Sequence, residues 1–215
     1  MKIAILGAES TGKTELARAL FGALDQPAGS AIWVAEALRE WCSKHQRTPA
    51  PTEQWSIAQE QTLRIQASRR QKYVIADTTA LMTAIYSDVL FSDSTLYGPA
   101  LSAHREMDLT LVTGLDLPWI ADGIQRDSPQ GRERIDMRLR EVLGLHRIHY
   151  SLIYGVGTNR LDNALKAIAQ HSACQEAKSQ PACWQWTCNN CSDPACEFRI
   201  FSTLTSQGSV GFGVP

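Results

Sequence analysis

The stretch that most constrains this chain is Gly7-Ala8-Glu9-Ser10-Thr11-Gly12-Lys13-Thr14, a complete G-x-x-x-x-G-K-[ST] phosphate loop. A short apolar run, Ile3 to Leu6, precedes it. Leu16, Leu20, Ala23 and Leu24 follow at i, i+4, i+7 and i+8, the spacing of one helical face. A strand, a glycine-rich turn and a helix in that order point successive backbone N–H groups into one concavity, at the positive end of the helix. The loop from Gly7 through Glu9, Ser10, Thr11 and Gly12 is therefore read as the seat of a nucleotide polyphosphate. Lys13 reaches the β- and γ-phosphates and the Thr14 hydroxyl takes Mg²⁺.

Four further apolar runs, at 32–35, 73–76, 109–113 and 151–154, alternate with helical patterns. Such alternation predicts an α/β fold, with a five-stranded parallel sheet between two layers of helices: the three-layer P-loop NTPase architecture. Helices are expected over 36–45, from Thr52 to about Gln71, and around Leu81, Ile85 and Val89. Others are expected over 94–105 (loosely packed), around Ile135, Leu139, Val142 and Leu143, and over 160–170. Periodicity ends near Ser172, so residues 1–171 are read as a kinase-like domain and 172–215 as a short Cys-rich appendage. The net charge of −1 comes without a basic run or an aromatic-interleaved basic stripe, which argues against a nucleic-acid partner. No apolar segment is long enough to span a membrane. The apolar run before the phosphate loop is only four residues long, Ile3 to Leu6, too short for a secretion signal, so a cytoplasmic protein is expected.

Ligands of open α/β sheets lie at the carboxyl ends of the strands. Strand two ends at Glu36, with Arg39 close behind; strand three ends at Asp77; strand four leads to Asp116 and Asp122. These acids are expected to converge on the γ-phosphate. Asp77 then either steers Mg²⁺ and the attacking hydroxyl or simply caps the next helix. Glu36 is a candidate base or hydroxyl contact, or a solvated first-turn acid. Arg126 and Arg132 stand in a polar, glycine-containing stretch suited to a lid whose guanidinium forks hold phosphate oxygens. Thr158-Asn159-Arg160-Leu161-Asp162 outlines a guanine-reading N-K-x-D loop with Arg for Lys. No Asp in the chain has Gly three residues on, so Arg160 is read against adenine or as a helix start. Trp119 and, next, Trp41 are the aromatics suited to stacking on a flat heterocycle. Arg39 and Asp122 are grouped with them as acceptor contacts.

The phosphate loop, Glu36-Ala37-Leu38-Arg39-Glu40-Trp41, Asp77-Thr78-Thr79, and Pro118-Trp119-Ile120-Ala121-Asp122-Gly123 with Arg126 and Arg132 together resemble the NadR-type nicotinamide-riboside kinase domain. That domain is a nucleoside- or riboside-kinase-like member of the AAA-family P-loop NTPases, and the resemblance runs over roughly residues 2–169. It implies a P-loop small-molecule kinase that uses ATP with Mg²⁺ and transfers the γ-phosphoryl group to the 5′-hydroxyl of nicotinamide riboside. A reading from another class, a nucleotide-dependent switch or binding module, stands beside it.

The tail reads Cys183-x4-Cys188-x2-Cys191-x4-Cys196. Four close thiolates suit a tetrahedral Zn²⁺ that would fold a segment too small for its own core. The first three also match a plant-type iron–sulfur spacing, Cys174 could replace one member, and free thiols are the plain alternative. A protein partner docking on this tail is expected under the switch reading.

Overall fold

The computed structural model describes residues 1–120 and 129–176. Chain contacts divide it into two units, Met1–His171 and Ser172–Pro215, and the account below concerns the first. Its elements run β1 (Lys2–Leu6), α1 (Lys13–Leu24), β2 (Ala31–Val34), α2 (Ala37–His45), α3 (Pro51–Ala67) and β3 (Tyr73–Asp77). They continue through α4 (Ala80–Phe91), α5 (Tyr97–His104), β4 (Leu109–Thr113), α6 (Pro129–Leu145), β5 (Ser151–Ile153) and α7 (Thr158–Glu176). The five strands form one parallel sheet in the order β2-β3-β1-β4-β5.

Strand side chains alternate between the two faces, and the core divides accordingly. Ile3, Ile5, Leu109 and Leu111 pack with Leu16, Ala17 and Leu20 of α1 and with Ala164, Ala167 and Ile168 of α7. Ala4, Leu6 and Val112 face the other way, onto Leu81, Met82 and Ile85 of α4 and Ile135, Leu139, Val142 and Leu143 of α6. The expected stripe on α6 is thus the one buried. Both faces of β1 are covered, which is why its sequence is a continuous apolar run.

Several boundaries differ from the sequence expectation for identifiable reasons. Helix α3 starts at Pro51, whose missing N–H costs nothing at the first helical position, and Glu53 accepts a 2.7 Å hydrogen bond from the Ala50 N–H. Strand β5 stops at Ile153, because Gly155 turns the chain at φ 106°. Helix α5 starts late, at Tyr97, after Asp93 accepts hydrogen bonds from the backbone and hydroxyl of Thr95. Nor is α5 loosely packed: Leu96 and Ala100 are buried against Ala58, Ala80 and Ala84, small residues that let helices approach closely. His104 closes α5 with both ring nitrogens 3.0 Å from threonine hydroxyls, Nδ1 from Thr79 and Nε2 from Thr110. Among the described residues no helix is long and apolar enough to cross a membrane.

Candidate active site

The loop between β1 and α1 is held by short side chains and by left-handed backbone. Gly7 (φ 148°), Ser10 (φ 54°) and Gly12 (φ 74°) turn it back on itself. Thr11 donates from Oγ1 to the Ala8 carbonyl at 2.7 Å, and Thr113 at the end of β4 donates to Thr11 Oγ1 at 2.7 Å. A Cβ at Gly7 would lie 2.2 Å from Thr113 Oγ1, so the loop packs onto β4 with no room for a side chain. Ser10 ties the loop outward: its Oγ donates to the Ile120 carbonyl at 2.9 Å and lies 3.2 Å from the Ile120 N–H.

Lys13, Glu36 and Asp77 are brought together at the carboxyl edge of β1, β2 and β3, each no more than 6% exposed. Lys13 Nζ donates to the Ala8 carbonyl at 2.7 Å. Burial pushes its pKa down, while the negative charges of Glu36, Asp77 and Glu9 oppose that shift. Burial raises the Glu36 carboxyl, against the pull of Lys13; Arg39 Nε lies 3.4 Å from Glu36 Oε2. Asp77 is likewise raised by burial, and the nearby Thr14 hydroxyl, Lys13 and Arg39 counteract it. Each group is desolvated in its charged form and leans on its neighbours to keep that charge. The helix-cap alternative for Asp77 does not apply: Thr79 caps α4, accepting from the Leu81 N–H, and Asp77 ends β3. Between them Thr78, a β-branched residue, is held at φ 72°. Such a conformation costs on the order of 1–3 kcal/mol and is characteristic of functional sites.

Glu36 sits at the N-cap of α2 without using its side chain to cap. Gln61 of α3 does that work instead, accepting from the Ala37 N–H at 2.7 Å, which leaves the Glu36 carboxylate to face Lys13. Gln54, one face-repeat earlier on α3, is 2% exposed. It lines a cavity of about 390 Å³ beside the loop, with Glu9, Tyr86, Trp119 and Arg132 among the polar walls and Leu38, Val89 and Ile135 among the apolar ones. Arg132 donates from Nη1 to the Leu117 carbonyl at 2.9 Å. The Tyr86 phenol is pushed well above its usual pKa by burial and then by the charges of Glu9 and Glu36.

Eight buried side-chain polar atoms among the described residues make no hydrogen bond, and seven of them are here: Glu9 Oε2, Thr14 Oγ1, Gln54 Oε1, Asp77 Oδ1, Trp119 Nε1, and Nε and Nη2 of Arg132. Unsatisfied buried polar atoms are rare, because each costs roughly 1–3 kcal/mol. Thr14 Oγ1 and Asp77 Oδ1 are both oxygens, the donors Mg²⁺ takes. The Nε–Nη2 edge of Arg132 is the fork that grips an oxyanion with two parallel hydrogen bonds.

Not every expected site residue joins this group. Asp116 does not reach the γ-phosphate region: it accepts from the Gly155 N–H at 2.6 Å and pairs with Arg160. Arg160, 4% exposed, spends its guanidinium on the Thr11 and Gly155 carbonyls and on Asp116. It braces the back of the phosphate loop. Trp41 does not line the cavity; its ring stacks on His45 at 4.0 Å and lies under the Arg47 guanidinium. Arg39 reaches the site through Glu36. Asp122, Arg126, Cys183, Cys188, Cys191 and Cys196 lie outside the described residues. Tyr86, Gln54 and Thr113 are site residues that the motifs did not name. Gln54 and Gln61 did carry a signal: two amides seven apart, on the same stripe of α3 as Ile57 and Ile65.

A family model described as an AAA domain matches residues 2–160. The chain is also similar to solved structures of NadR protein, one in complex with NAD and AMP-PNP and one with NR. The first match has a TM-score of 0.63 at 19% identity over 80% of this chain and 49% of that one. The second has 0.61 at 19% over 79% and 50%. Thymidylate kinase from Ehrlichia chaffeensis matches at TM-score 0.57 and 16% identity, over 78% of this chain and 98% of its own. The chain spans about half the length of the NadR structures. At these identities the likeness is one of fold, and the fold is that of the P-loop kinases. No curated protein sequence matches the chain.

Proposed function

The chain belongs to the AAA domain family, and from that premise we propose that it is an ATP-dependent kinase that phosphorylates the 5′-hydroxyl of a small riboside, nicotinamide riboside first among them. The observation that carries this reading is the concentration of unsatisfied buried atoms on two adjoining surfaces. One, at Thr14 and Asp77, suits a metal–triphosphate. The other, at Glu9, Gln54, Trp119 and Arg132, suits a polar acceptor in the cavity next to it.

In this scheme the loop amides and Lys13 bind the β- and γ-phosphates. Thr14 and Asp77 would hold Mg²⁺, which when bound neutralises phosphate charge. Glu36 takes the proton of the acceptor hydroxyl; its raised pKa makes it a stronger base than an exposed carboxylate. Arg132 receives oxygens of the group in transfer on its free edge, and Trp119 contributes an aromatic wall to the acceptor cavity. Catalysis is then positioning and charge stabilisation, with little covalent chemistry left to the protein. The NadR structures hold an ATP analogue in one case and NR in another, which favours the same pair of ligands here.

The test is to incubate the protein with ATP, Mg²⁺ and nicotinamide riboside and follow ADP. ADP formation that requires the riboside supports the reading; ADP formed equally without an acceptor contradicts it.

A further inference from the structure

The cavity carries one acid that the scheme above leaves without a task. Glu9 lies inside the phosphate loop, two residues after Gly7, yet its side chain lines the cavity and its buried Oε2 has no hydrogen bond. A carboxylate is acceptor-only, so that oxygen is open to a donor from a bound molecule. The Tyr86 hydroxyl, at the end of a side chain buried in α4, faces the same carboxylate.

Position narrows what that donor is. The reacting hydroxyl of the acceptor must meet the terminal phosphate above Lys13, and the atoms bonded nearest to that hydroxyl are those of the sugar. A wall built from the loop itself therefore lies against the sugar. The rest of the lining, Gln54 with Leu38, Val89 and Ile135, is then left for the base. Two adjacent sugar hydroxyls supply two donors at the spacing of one carboxylate, the same match by which an acid reads ribose in dinucleotide sites.

We propose that Glu9, supported by Tyr86, reads the vicinal 2′,3′-hydroxyls of the acceptor and makes the cavity selective for ribosides over 2′-deoxyribosides. The proposal rests on the cavity being the acceptor site. Removing the 2′-hydroxyl leaves a buried carboxylate oxygen unpaired, and sites built around a hydroxyl reject analogues that lack it far more strongly than apolar pockets reject a missing methylene.

The test is calorimetry on the full chain with Mg²⁺ and a non-hydrolysable ATP analogue. The titrants are matched pairs: adenosine and 2′-deoxyadenosine, uridine and 2′-deoxyuridine, nicotinamide riboside and its 2′-deoxy form. At least one riboside is expected to bind about 30-fold or more tighter than its deoxy partner. In Glu9→Gln that ratio falls below about 3-fold, in Glu9→Asp it is retained in part, and in Tyr86→Phe it narrows. Equal affinities within every pair, a ratio unchanged in Glu9→Gln, or no nucleoside bound at all overturns the proposal. Turnover separates it from the kinase reading. Selective binding without riboside-dependent ADP sinks the kinase and keeps the selectivity, whereas turnover indifferent to the 2′-hydroxyl does the reverse.

Discussion

Arg160 and Asp116 form an ion pair that joins the start of α7 to the segment leaving β4, and the same guanidinium donates to the Thr11 carbonyl of the phosphate loop. Further contacts hold the segment from Gly114 to Ile120, among them Leu117 to Arg132 and Ile120 to Ser10. The Ser10 contact ends on the loop that would hold the triphosphate, and the Asp116 contact reaches it through Arg160 and the Thr11 carbonyl. The phosphate loop and the cavity wall carrying Trp119 are consequently parts of one braced structure.

Truncating that brace is expected to be costly. Arg160→Ala leaves the buried Thr11 carbonyl and the partly exposed Asp116 without their partner, with a loss of roughly 1–3 kcal/mol. Urea unfolding measures this, and affinity for an ATP analogue is expected to fall with it. Arg160→Lys recovers only part, since an ammonium cannot span three acceptors in one plane. Full stability in Arg160→Ala would show that the brace is idle.

Gly7 tests the loop from the other side. Gly7→Ala brings a Cβ to 2.2 Å from Thr113 Oγ1 at a φ of 148°, so the loop must move off β4. Nucleotide affinity is expected to drop by at least about 100-fold, the consequence of displacing several phosphate-facing amides at once. Thr113→Ala combined with Gly7→Ala relieves the contact but not the backbone strain, and recovers little. Calorimetry with an ATP analogue reads both variants, and unchanged affinity in Gly7→Ala contradicts the packing described.

His104 sets a pH limit on the fold. Burial holds its imidazole neutral, with the pKa pulled down to about 4 from 6.5. The unfolded chain therefore binds the proton first, and stability rises with pH across this window. The contribution is fully present above pH 6.5, declines as pH falls, and is gone by about pH 4; over that span the loss is about 3 kcal/mol. His104→Gln keeps a hydrogen-bonding side chain without the titration, so its stability curve is expected to be flatter between those limits. Parallel curves for the two proteins would remove His104 as the cause.

The active-site acids give a second pH signature. Burial raises Glu36, so a base at that position loses activity on the acid side at a higher pH than a free carboxylate would. Glu36→Gln is expected to cut kcat by about 10²–10⁴-fold and to abolish that acid limb. An intact limb in Glu36→Gln would transfer the role to Asp77, whose carboxyl is raised by the same cause.

How much of this was legible in the chain depends on how far each signal had to travel. The phosphate loop and its frame are local, and Ile3, Ile5 against Ala4, Leu6 sort onto two faces by strand period alone. The three buried groups Lys13, Glu36 and Asp77 follow from parallel topology, since parallel strands deliver their carboxyl ends to one edge. Side-chain destinations after a loop do not follow. Asp116 and Arg160 are 44 residues apart and find each other only when β4 and β5 pair, and nothing local marks Arg160 as a brace. Trp41 shares a helix with site residues but faces His45, a consequence of helix rotation that an isolated motif does not disclose. Tyr86 was hidden because α4 is buried nearly all round, so one aromatic among apolar neighbours carries no contrast. Gln54 and Gln61 were the readable exception: polar amides on an apolar stripe have to be satisfied by something.

The most direct test follows the phosphorus itself. With ATP, Mg²⁺ and nicotinamide riboside, ³¹P NMR is expected to show a new phosphomonoester on the riboside 5′-carbon growing as the γ-phosphate signal disappears, and no such signal with Lys13→Ala. Conversion of ATP to ADP and free inorganic phosphate alone, or a phosphomonoester that still forms in Lys13→Ala, would contradict the account.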